Sequence, residues 1–343
     1  MDTISNTWFE FALPKDKAVD FLGVMYATPS SDPEAAQYVM EAFIEDFRSR
    51  IWLTYRRDFP SLIDKDGNET GITSDAGWGC SIRATQMLIA QCLLTQALGR
   101  NWRFESASEA EKKKLEILVR LFLDSVDAPL SIHRMVQVGH GRFGKKPSEW
   151  FGPTTGARTI EGLVNNEIAE RMQIGCISFD GGEIVSSQVT ELFDKSNAVI
   201  VLLTHRLGLD SFNYARYQGT IQSLFAHPFF QGLSSGESIA SAYYFFAASD
   251  EHLFYLDPHT VQPALIEPTH LTSQPRPLKM RWQRLNPSMT MGFLVQSREE
   301  WESLCTYLTK IDRELFDIIQ VRRETPKFTD ISEETDDQVV LIS

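Results

Sequence analysis

The sequence predicts an α+β fold, with helices in the first half of the chain and an antiparallel sheet in the second. A segment with apolar residues at helical spacing follows the turn Gly77-Trp78-Gly79-Cys80. Short apolar runs bounded by turn residues begin at Ile174. Strands and helices do not alternate as they would in a doubly wound α/β protein. We therefore expect the helix that begins near Cys80 to pack against the sheet.

The composition is that of a globular protein with a substantial core. The chain has 343 residues, of which 43% are hydrophobic and 23% charged. No apolar run approaches the about 20 residues that cross a bilayer, and no signal peptide is evident at the N-terminus. The 4 cysteines have irregular spacing that predicts neither a disulfide framework nor a metal site, so we expect a reducing, cytoplasmic location. A net charge of −13 argues against a nucleic-acid partner.

The helical segments carry recognisable start signals. Asp32 and Pro33 begin the first helix, which we expect to run to about Arg50. Its inward residues are expected to include Tyr38, Ala42 and Phe43. Residues 108–111 form a capping box before a helix with one apolar face. Residues 131–149 contain several glycines and are expected to form a loop-rich region.

Five apolar or aromatic runs predict strands in the second half of the chain. They span residues 174–179, 198–203, 242–248, 252–256 and 291–295. Asp250 and Glu251 lie between two of these runs and predict a hairpin. Beyond about residue 322 the chain becomes acidic and loses periodicity, which predicts a disordered tail.

Cys80 occupies a position that favours a reactive thiol. In the first turn of a helix, partial positive charge and unpaired N–H groups stabilise a thiolate. Gly77 and Gly79 allow the backbone to approach closely and leave the sulfur accessible. A cysteine considered alone is more often a small core residue. The prediction of a nucleophile therefore depends on a partner elsewhere in the chain.

The segment Asp257-Pro258-His259 offers that partner. In an extended conformation, alternate side chains point to the same side, and Pro258 favours that conformation for Asp257. The imidazole can then accept the thiol proton while the carboxylate orients the ring. Alone, the tripeptide is more often a turn at the end of a strand. Together with the turn at Cys80, it predicts a thiol hydrolase.

Several motifs, in matching order and spacing over about residues 20–300, resemble the autophagins, the autophagy-related cysteine endopeptidases. These motifs are Thr54-Tyr55-Arg56-Arg57-Asp58-Phe59-Pro60, Thr73-Ser74-Asp75-Ala76-Gly77-Trp78-Gly79-Cys80, Ser131-Ile132-His133, Trp150-Phe151-Gly152-Pro153, Arg206-Leu207-Gly208-Leu209 and Tyr255-Leu256-Asp257-Pro258-His259-Thr260-Val261-Gln262-Pro263. The resemblance implies a papain-like core with a small accessory subdomain. The protease domain would span residues 31–321, between an N-terminal arm over 1–30 and the tail over 322–343.

The resemblance also implies roles for individual residues. Cys80 would be the nucleophile, His259 the general base and acid, and Asp257 the carboxylate that orients His259. Tyr55 would bind the oxyanion through its hydroxyl, beside the Cys80 N–H. The implied substrate-binding and gating residues are Trp150, Arg206, Ser235 and Gly236, the last two within a gating loop over residues 234–240.

Family substrates are ubiquitin-like autophagy modifiers of the GABARAP type, free or lipid-conjugated. The resemblance implies cleavage after a C-terminal glycine, for precursor processing and for release from phosphatidylethanolamine. Phe328 and Ile331 fit a pattern that such modifiers accept as an added strand, which predicts that the tail is a docking segment. No stable membrane anchor and no cofactor or metal are expected.

The chain departs from the family pattern at four places. The gating loop lacks the usual proline and has one additional residue, so its dynamics are expected to differ. Ala84 replaces a second cysteine that some relatives use for redox control, so we expect that control to be absent. The loop before Thr73 is longer than usual, and the tail lacks an aromatic motif near its end.

Two alternative functions remain open. One is a protease for the ubiquitin-fold modifier, which also uses a Gly-Trp-Gly-Cys turn and an Asp-Pro-His segment. The other is a catalytically weak scaffold that binds modifiers. A metal hydrolase is not favoured, because the 7 histidines show no spacing typical of metal ligands.

Overall fold

The computed structural model describes residues 11–238, 240–268 and 274–320. Residues 1–10 of the predicted arm, Ile239 of the predicted gating loop and the whole tail predicted over 322–343 lie outside the described residues. The predicted docking residues Phe328 and Ile331 are therefore also outside them.

The α-helices of the described residues are distributed along the whole chain. They are α1 (Pro33–Arg48), α2 (Cys80–Leu98), α3 (Glu109–Arg120), α4 (Ile132–Phe143), α5 (Pro153–Leu163), α6 (Ala169–Met172), α7 (Ser186–Leu192), α8 (Tyr214–Phe225) and α9 (Arg298–Asp312). A π-helical turn, Val164–Ile168, joins α5 to α6, and a short 3-10 helix spans Trp282–Arg284. Within the described ranges, every helix is too short or too polar to span a lipid bilayer.

The strands of the described residues form one large sheet and two small ones. They are β1 (Ala18–Phe21), β2 (Val24–Ala27), β3 (Arg56–Arg57), β4 (Ile174–Asp180), β5 (Glu183–Val185), β6 (Ala198–Arg206), β7 (Phe230–Ser235), β8 (Tyr243–Ala248), β9 (His252–Leu256), β10 (Gln262–Pro263), β11 (Leu278–Arg281), β12 (Ser288–Val295) and β13 (Asp317–Ile319). The large sheet has the order β11-β9-β8-β7-β12-β6-β4. The β1–β2 hairpin, which lies in the segment expected to be an arm, joins this sheet because β1 pairs with the end of β8.

The α+β prediction is confirmed, but the sheet is mixed rather than wholly antiparallel. Strands β4 and β6 pair in parallel, while β6 with β12, β12 with β7, and β7 with β8 pair antiparallel. The chain passes through α7 between β4 and β6. A parallel pair needs such a crossover, and a helix usually provides it.

Helices cover both faces of the sheet. Gly292 of β12 faces α2, because a Cβ built on it would come 2.7 Å from Leu88 Cδ1. The next residue, Phe293, points to the other face and stacks near Phe230, which in turn contacts Phe225 of α8. The helix that begins at Cys80 therefore packs directly on the centre of the sheet, and its first fifteen residues are all buried.

The helix signals of the sequence are confirmed at α1 and α3. Asp32 caps α1 by accepting the Ala35 N–H at 3.0 Å, and residues 108–111 form the capping box of α3. The expectation that Tyr38 faces inward is wrong, since this residue is 73% exposed. Tyr38 lies five positions, or about 140° around a helix, from the buried Phe43, so the two cannot share a face.

The expectation of a loop-rich region over residues 131–149 is also wrong for most of its length. Ser131 caps α4 through the Arg134 N–H at 3.2 Å, and Gly144 ends the helix with a φ of +68°. Gly139 is needed inside the helix for a packing reason. A Cβ at that position would lie 2.1 Å from the ring of Phe151.

All five predicted strands are confirmed. Strands β4, β6 and β12 extend beyond the predicted bounds, β8 begins one residue later than predicted, and the bounds of β9 match the prediction. The turn at Asp250 and Glu251 joins β8 to β9 in an antiparallel hairpin, as predicted. Strand β7 was not predicted, because polar residues interrupt it. Gln231, Ser234 and Ser235 are nevertheless buried there, since β7 lies between two other strands.

Replacing Gly292 by alanine is expected to destabilise the fold by about 1–3 kcal/mol, because the new methyl group would push Leu88 of α2 away from the sheet. Chemical denaturation of both proteins measures this change. Gly219→Ala in α8 is the matched control, since a Cβ there meets nothing within 4 Å. The control is expected to keep or raise stability, and equal losses in both variants would contradict the packing of α2 on β12.

Candidate active site

Cys80 is the first residue of α2, as the sequence predicts, and Gly79 precedes it as the N-cap. Its N–H belongs to the first turn of the helix, whose amides have no partner within the helix. Gly77 adopts a φ of +87°, which favours glycine. Gly79 is required by contact, because a Cβ on it would lie 2.4 Å from Asp75 Oδ2. The turn that precedes the cysteine therefore packs against a buried carboxylate.

His259 and Asp257 are paired by a turn rather than by an extended strand. Asp257 Oδ1 accepts the backbone N–H of His259 at 2.9 Å and also lies 2.6 Å from His259 Nδ1. This is an Asx-turn, in which an aspartate bonds to the backbone two residues ahead. The expectation of an extended Asp-Pro-His segment is corrected, whereas the predicted pairing of the two side chains is present. Nε2 of His259 is left as the ring nitrogen that can face the thiol.

Two aromatic rings and two further side chains hold this turn. The rings of Tyr55 and Tyr243 each lie 5.3 Å from the His259 ring, measured between centroids. Trp52 donates its indole N–H to the Asp257 carbonyl at 2.7 Å, and Gln274 accepts the Asp257 N–H at 2.7 Å. The carboxylate and the imidazole therefore have little freedom to rotate away from each other.

The electrostatic balance at the sulfur favours a charged pair. Burial alone would raise the pKa of the Cys80 thiol, but hydrogen bonds from His259 and Tyr55 outweigh burial and lower it. Burial alone would also favour a neutral imidazole, but the bonds to Asp257 and Cys80 raise the pKa of His259 to about 9. Both shifts favour a thiolate beside an imidazolium over the neutral pair.

Tyr55 lies beside both groups. Its N–H donates to the Pro258 carbonyl at 2.7 Å, and its carbonyl accepts the Gln262 N–H at 2.9 Å, so the backbone holds it next to the His259 segment. Burial and the nearby Cys80 raise the pKa of the Tyr55 hydroxyl. The phenol therefore stays protonated and can act as a hydrogen-bond donor.

The four predicted substrate-binding and gating residues meet at one cavity. Trp150, Arg206, Ser235 and Gly236 all line a space of about 180 Å³ that also reaches Ser81, next to Cys80. Arg206 is exposed and donates to Ser288 Oγ at 3.1 Å and to the carbonyl of Leu209. The indole N–H of Trp150 is buried without a regular hydrogen bond, and it helps to lower the pKa of Cys80.

The sulfur of Cys80 is covered in this structure. Cys80 has no exposed surface, and the carbonyl oxygen of Ala240 lies 3.7 Å from Sγ. Tyr55, Ala84 and Ala242 surround the cysteine in a small cluster separate from the main core, with Trp150 packed against it. A peptide carbonyl can reach the sulfur only after the covering residues move.

The sequence did not indicate all the residues that shape this site. Trp52 and Gln274 were not singled out, since their contacts with Asp257 depend on the fold. Arg83 and Asp75 form an ion pair of 2.7 Å in which both side chains are buried. An arginine within an otherwise uncharged helix was a usable signal for this pair. In the part of the chain that the structure describes, no group of three or more potential ligand side chains is arranged to hold a metal.

A family match accompanies this geometry. The model of the Peptidase C54 catalytic domain matches residues 40–307, which is more than half of the 343 residues. The chain belongs to the Peptidase C54 family. The resemblance to the autophagins is thereby confirmed, and this C54 chain is a cysteine protease of the Atg4 type with a papain-like α+β fold.

Curated relatives of the C54 chain come from filamentous fungi. A probable cysteine protease atg4 of Aspergillus oryzae is 37% identical over 306 residues, which cover 80% of this chain and 74% of the relative. The cysteine protease atg4 of Emericella nidulans is 36% identical over 293 residues, covering 76% and 71%. Cysteine protease 1 of Neurospora crassa is 33% identical over 297 residues, covering 76% of this chain and 56% of the relative.

A solved structure of UfSP from C. elegans is similar to the C54 chain with a TM-score of 0.32 and 12% sequence identity. The match covers 75% of this chain and 37% of that one. A likeness at this level bears on neither the fold nor the function.

Replacing Asp257 by asparagine is expected to slow alkylation of Cys80 by iodoacetamide at pH 7 by about tenfold. Asp257 helps to raise the pKa of His259 to about 9, so its loss lets the imidazole deprotonate at lower pH. Cys80 then loses its cationic partner, and the inflection of its alkylation rate shifts to higher pH. Mass spectrometry of the alkylated peptide gives the rate.

Asp46→Asn is the control, because it also replaces an aspartate that pairs with a basic side chain. Asp46 is fully buried and belongs to a separate arginine cluster. The other cysteines react slowly, since burial raises the pKa of Cys92, Cys176 and Cys305. An unchanged pH profile in folded Asp257→Asn would contradict the charged pair.

Proposed function

We propose that this C54 protease is an endopeptidase that uses Cys80 as nucleophile, His259 as general base and acid, and Asp257 as the carboxylate that orients His259. The observation that carries the proposal is the close grouping of these residues. Asp257 lies 2.6 Å from His259 Nδ1. Against the effect of burial, interactions with His259 and Tyr55 lower the pKa of the Cys80 thiol. A nucleophile, a base and an orienting group within hydrogen-bond reach are what covalent catalysis requires.

The first chemical step follows from the charged pair. His259 holds the proton of the thiol, and the Cys80 thiolate attacks the carbonyl carbon of the scissile bond. The imidazolium then gives this proton to the departing amine, which leaves a thioester on Cys80. In the second step His259 accepts a proton from water, and the hydroxide attacks the thioester carbon. The carbon–sulfur bond then breaks, which restores the Cys80 thiolate beside protonated His259 and releases the product acid, whose proton passes to the solvent.

The negative oxygen that forms during both attacks needs hydrogen-bond donors. We assign this role to the Cys80 N–H, which has no partner within the helix, and to the Tyr55 hydroxyl. The raised pKa of Tyr55 supports the assignment, because a phenol must stay protonated to donate. Preorganised donors of this kind lower the barrier without any rearrangement during the reaction.

We further propose that the substrate is a ubiquitin-like autophagy modifier of the GABARAP type that is cut after its C-terminal glycine. The family and the relatives named atg4 support this substrate class. The crowded surroundings of Cys80 support it independently, since Ala84, Ala242 and Trp150 leave little room for a side chain at the scissile residue. The leaving group would be either a peptide amine or the amine of phosphatidylethanolamine, because both accept the same proton from His259.

Trp150, Arg206, Ser235 and Gly236 are proposed to guide the substrate tail to the thiol. Their common cavity and its continuity with Ser81 support this role. Ala240, whose carbonyl covers the sulfur, must move aside when the tail enters. Docking through Phe328 and Ile331, the division into arm, domain and tail, and the cytoplasmic location stay predictions from the sequence.

The wild-type protein is expected to cut a C-terminally extended autophagy modifier after its glycine, and Cys80→Ala is expected to lose cleavage while retaining modifier binding. Electrophoresis with mass spectrometry identifies the cut, and calorimetry measures binding. Cys305→Ala is the matched cysteine control and should cleave like the wild type, since Cys305 lies on α9 near Ser186 and Glu302 and does not line the cavity of the site.

Three other results would change the conclusion. Cleavage of the ubiquitin-fold modifier alone would favour the alternative protease. Binding without cleavage by folded wild type would favour the scaffold. Loss of both binding and cleavage in Cys80→Ala would point to a structural role for this residue.

Replacing Arg206 by alanine is expected to raise KM for the modifier by about tenfold with little change in kcat, because a lost substrate contact outside the reacting centre weakens ground and transition state alike. Steady-state kinetics on the extended modifier measure both constants. Arg298→Ala, which removes a half-exposed ion pair with Asp194, serves as the control and should change neither. A fall in kcat at constant KM would contradict this role for Arg206.

A further inference from the structure

A buried chain of charged side chains lies beneath the Cys80 turn. Arg83, one turn into α2, contacts Asp75 Oδ2 through Nε at 2.7 Å and Asp124 Oδ1 at 2.8 Å. All three side chains are at most 1% exposed. Groups of this kind are costly to bury unless they are paired, so their presence calls for a role beyond packing.

Asp75 connects the two sides of the proposed oxyanion site. Its Oδ1 accepts the N–H of Arg56, the residue after Tyr55, at 2.5 Å. Its backbone carbonyl accepts the N–H of Gly79, the residue before Cys80, at 2.9 Å. One residue therefore holds the segment that carries Tyr55 and the turn that carries Cys80.

The far end of the chain reaches the third segment of the site. Asp124 Oδ2 accepts the Leu265 N–H at 2.8 Å, and the Asp124 N–H donates to the Leu265 carbonyl at 2.8 Å. Leu265 follows β10, which pairs with β3 directly after Tyr55. The three buried charges thus contact the backbone next to Tyr55 and Cys80, and at Leu265 they contact the segment that follows the His259 turn.

We propose that Asp75, supported by Arg83 and Asp124, is a positioning residue that sets the distance between the Tyr55 hydroxyl and the Cys80 N–H. The inference rests on the proposed function, because it concerns the oxyanion site of that reaction. Asp75 touches no substrate atom and acts through Tyr55 and Cys80. A displacement of about 1 Å between catalytic groups can cost as much as a hundredfold in rate, so a rigid buried link is of direct use there.

The charge arrangement supports this role. Arg56 is buried beside Arg83, Asp75 and Asp124, so two cationic and two anionic side chains balance one another. The negative charge of Asp75 also contributes to the raised pKa of Tyr55, after burial and Cys80. Asp75 therefore helps to keep the phenol protonated as well as in place.

The test uses Asp75→Asn, which keeps an acceptor for the Arg56 N–H but weakens the bond to Arg83. A peptide aldehyde that ends in glycinal reports on oxyanion binding, because its adduct with Cys80 carries the tetrahedral oxygen. Iodoacetamide alkylation of Cys80 forms no such oxygen. We expect Asp75→Asn to bind the glycinal about tenfold more weakly. Because Tyr55 also helps to lower the pKa of Cys80, alkylation is compared at a pH high enough to ionise the thiol fully in both proteins, and the two rates are expected to be equal there.

A double-mutant cycle with Tyr55→Phe separates positioning from general destabilisation. If Asp75 acts through Tyr55, the tenfold effect should shrink to less than about twofold when the hydroxyl is already absent. Asp46→Asn disturbs another buried ion cluster and should lower the melting temperature without changing glycinal binding. Arg83→Lys is the second variant should Asp75→Asn not fold, since lysine cannot contact both carboxylates.

Equal glycinal affinities in wild type and folded Asp75→Asn, or equal effects in both Tyr55 backgrounds, would overturn the inference. Parallel losses of glycinal binding and of alkylation at the high pH, where the thiol is fully ionised, would also overturn it. Cleavage of the modifier is measured separately with the same proteins. Wild type that binds the glycinal but cuts no modifier would refute the proposed substrate and leave the positioning role to be decided by the cycle.

Discussion

The charged pair of Cys80 and His259 depends on groups that are themselves held in place from several sides. The imidazolium is stable because Asp257 contacts Nδ1 at 2.6 Å, and the thiolate is stable because His259 and Tyr55 bond the sulfur. Each group would favour its neutral form if it were buried alone. The fold around the site therefore brings the N-terminus of a helix and the end of a strand together.

That meeting point is assembled from segments far apart in the chain. Helix α2 lies across the centre of the sheet, against Gly292, and directs its first residue toward the end of β9. The short parallel pairing of β3 with β10 then brings Tyr55 beside the His259 turn. Beneath them, Asp75, Arg83 and Asp124 join the same segments through buried ion pairs. Surface contacts could not hold such a site, because exposed ion pairs contribute little.

The loop in which this chain departs from the family pattern is also the loop that covers the sulfur of Cys80. Ala240 lies over Cys80, and Ser235 and Gly236 line the adjoining cavity. Ser241 accepts the N–H groups of Glu237 and Ser238 at 2.9 and 3.0 Å, so a serine hydroxyl shapes the turn in a loop that lacks proline. Serine fixes a turn by hydrogen bonding, whereas proline fixes it through its ring.

The sequence by itself determined the class of the protein and indicated the candidate catalytic residues. Helix signals at Asp32 and Ser108, the strands from Ile174 onward and the turn before Cys80 are local patterns that depend on neighbouring residues alone. Local patterns also misled. The glycines of α4 suggested a loop, and only the contact with Phe151 explains why a glycine lies within the helix at position 139. Tyr38 was assigned to the wrong face of α1.

The tertiary structure decided how the reacting groups meet. The Asx-turn at Asp257, the contacts of Trp52 and Gln274, the parallel pairing of β4 with β6 and the buried pairs of Arg83 could not be obtained from spacing. These contacts join residues that are distant in the chain, and their free energies depend on burial and geometry. Burial and geometry exist only once the chain has folded.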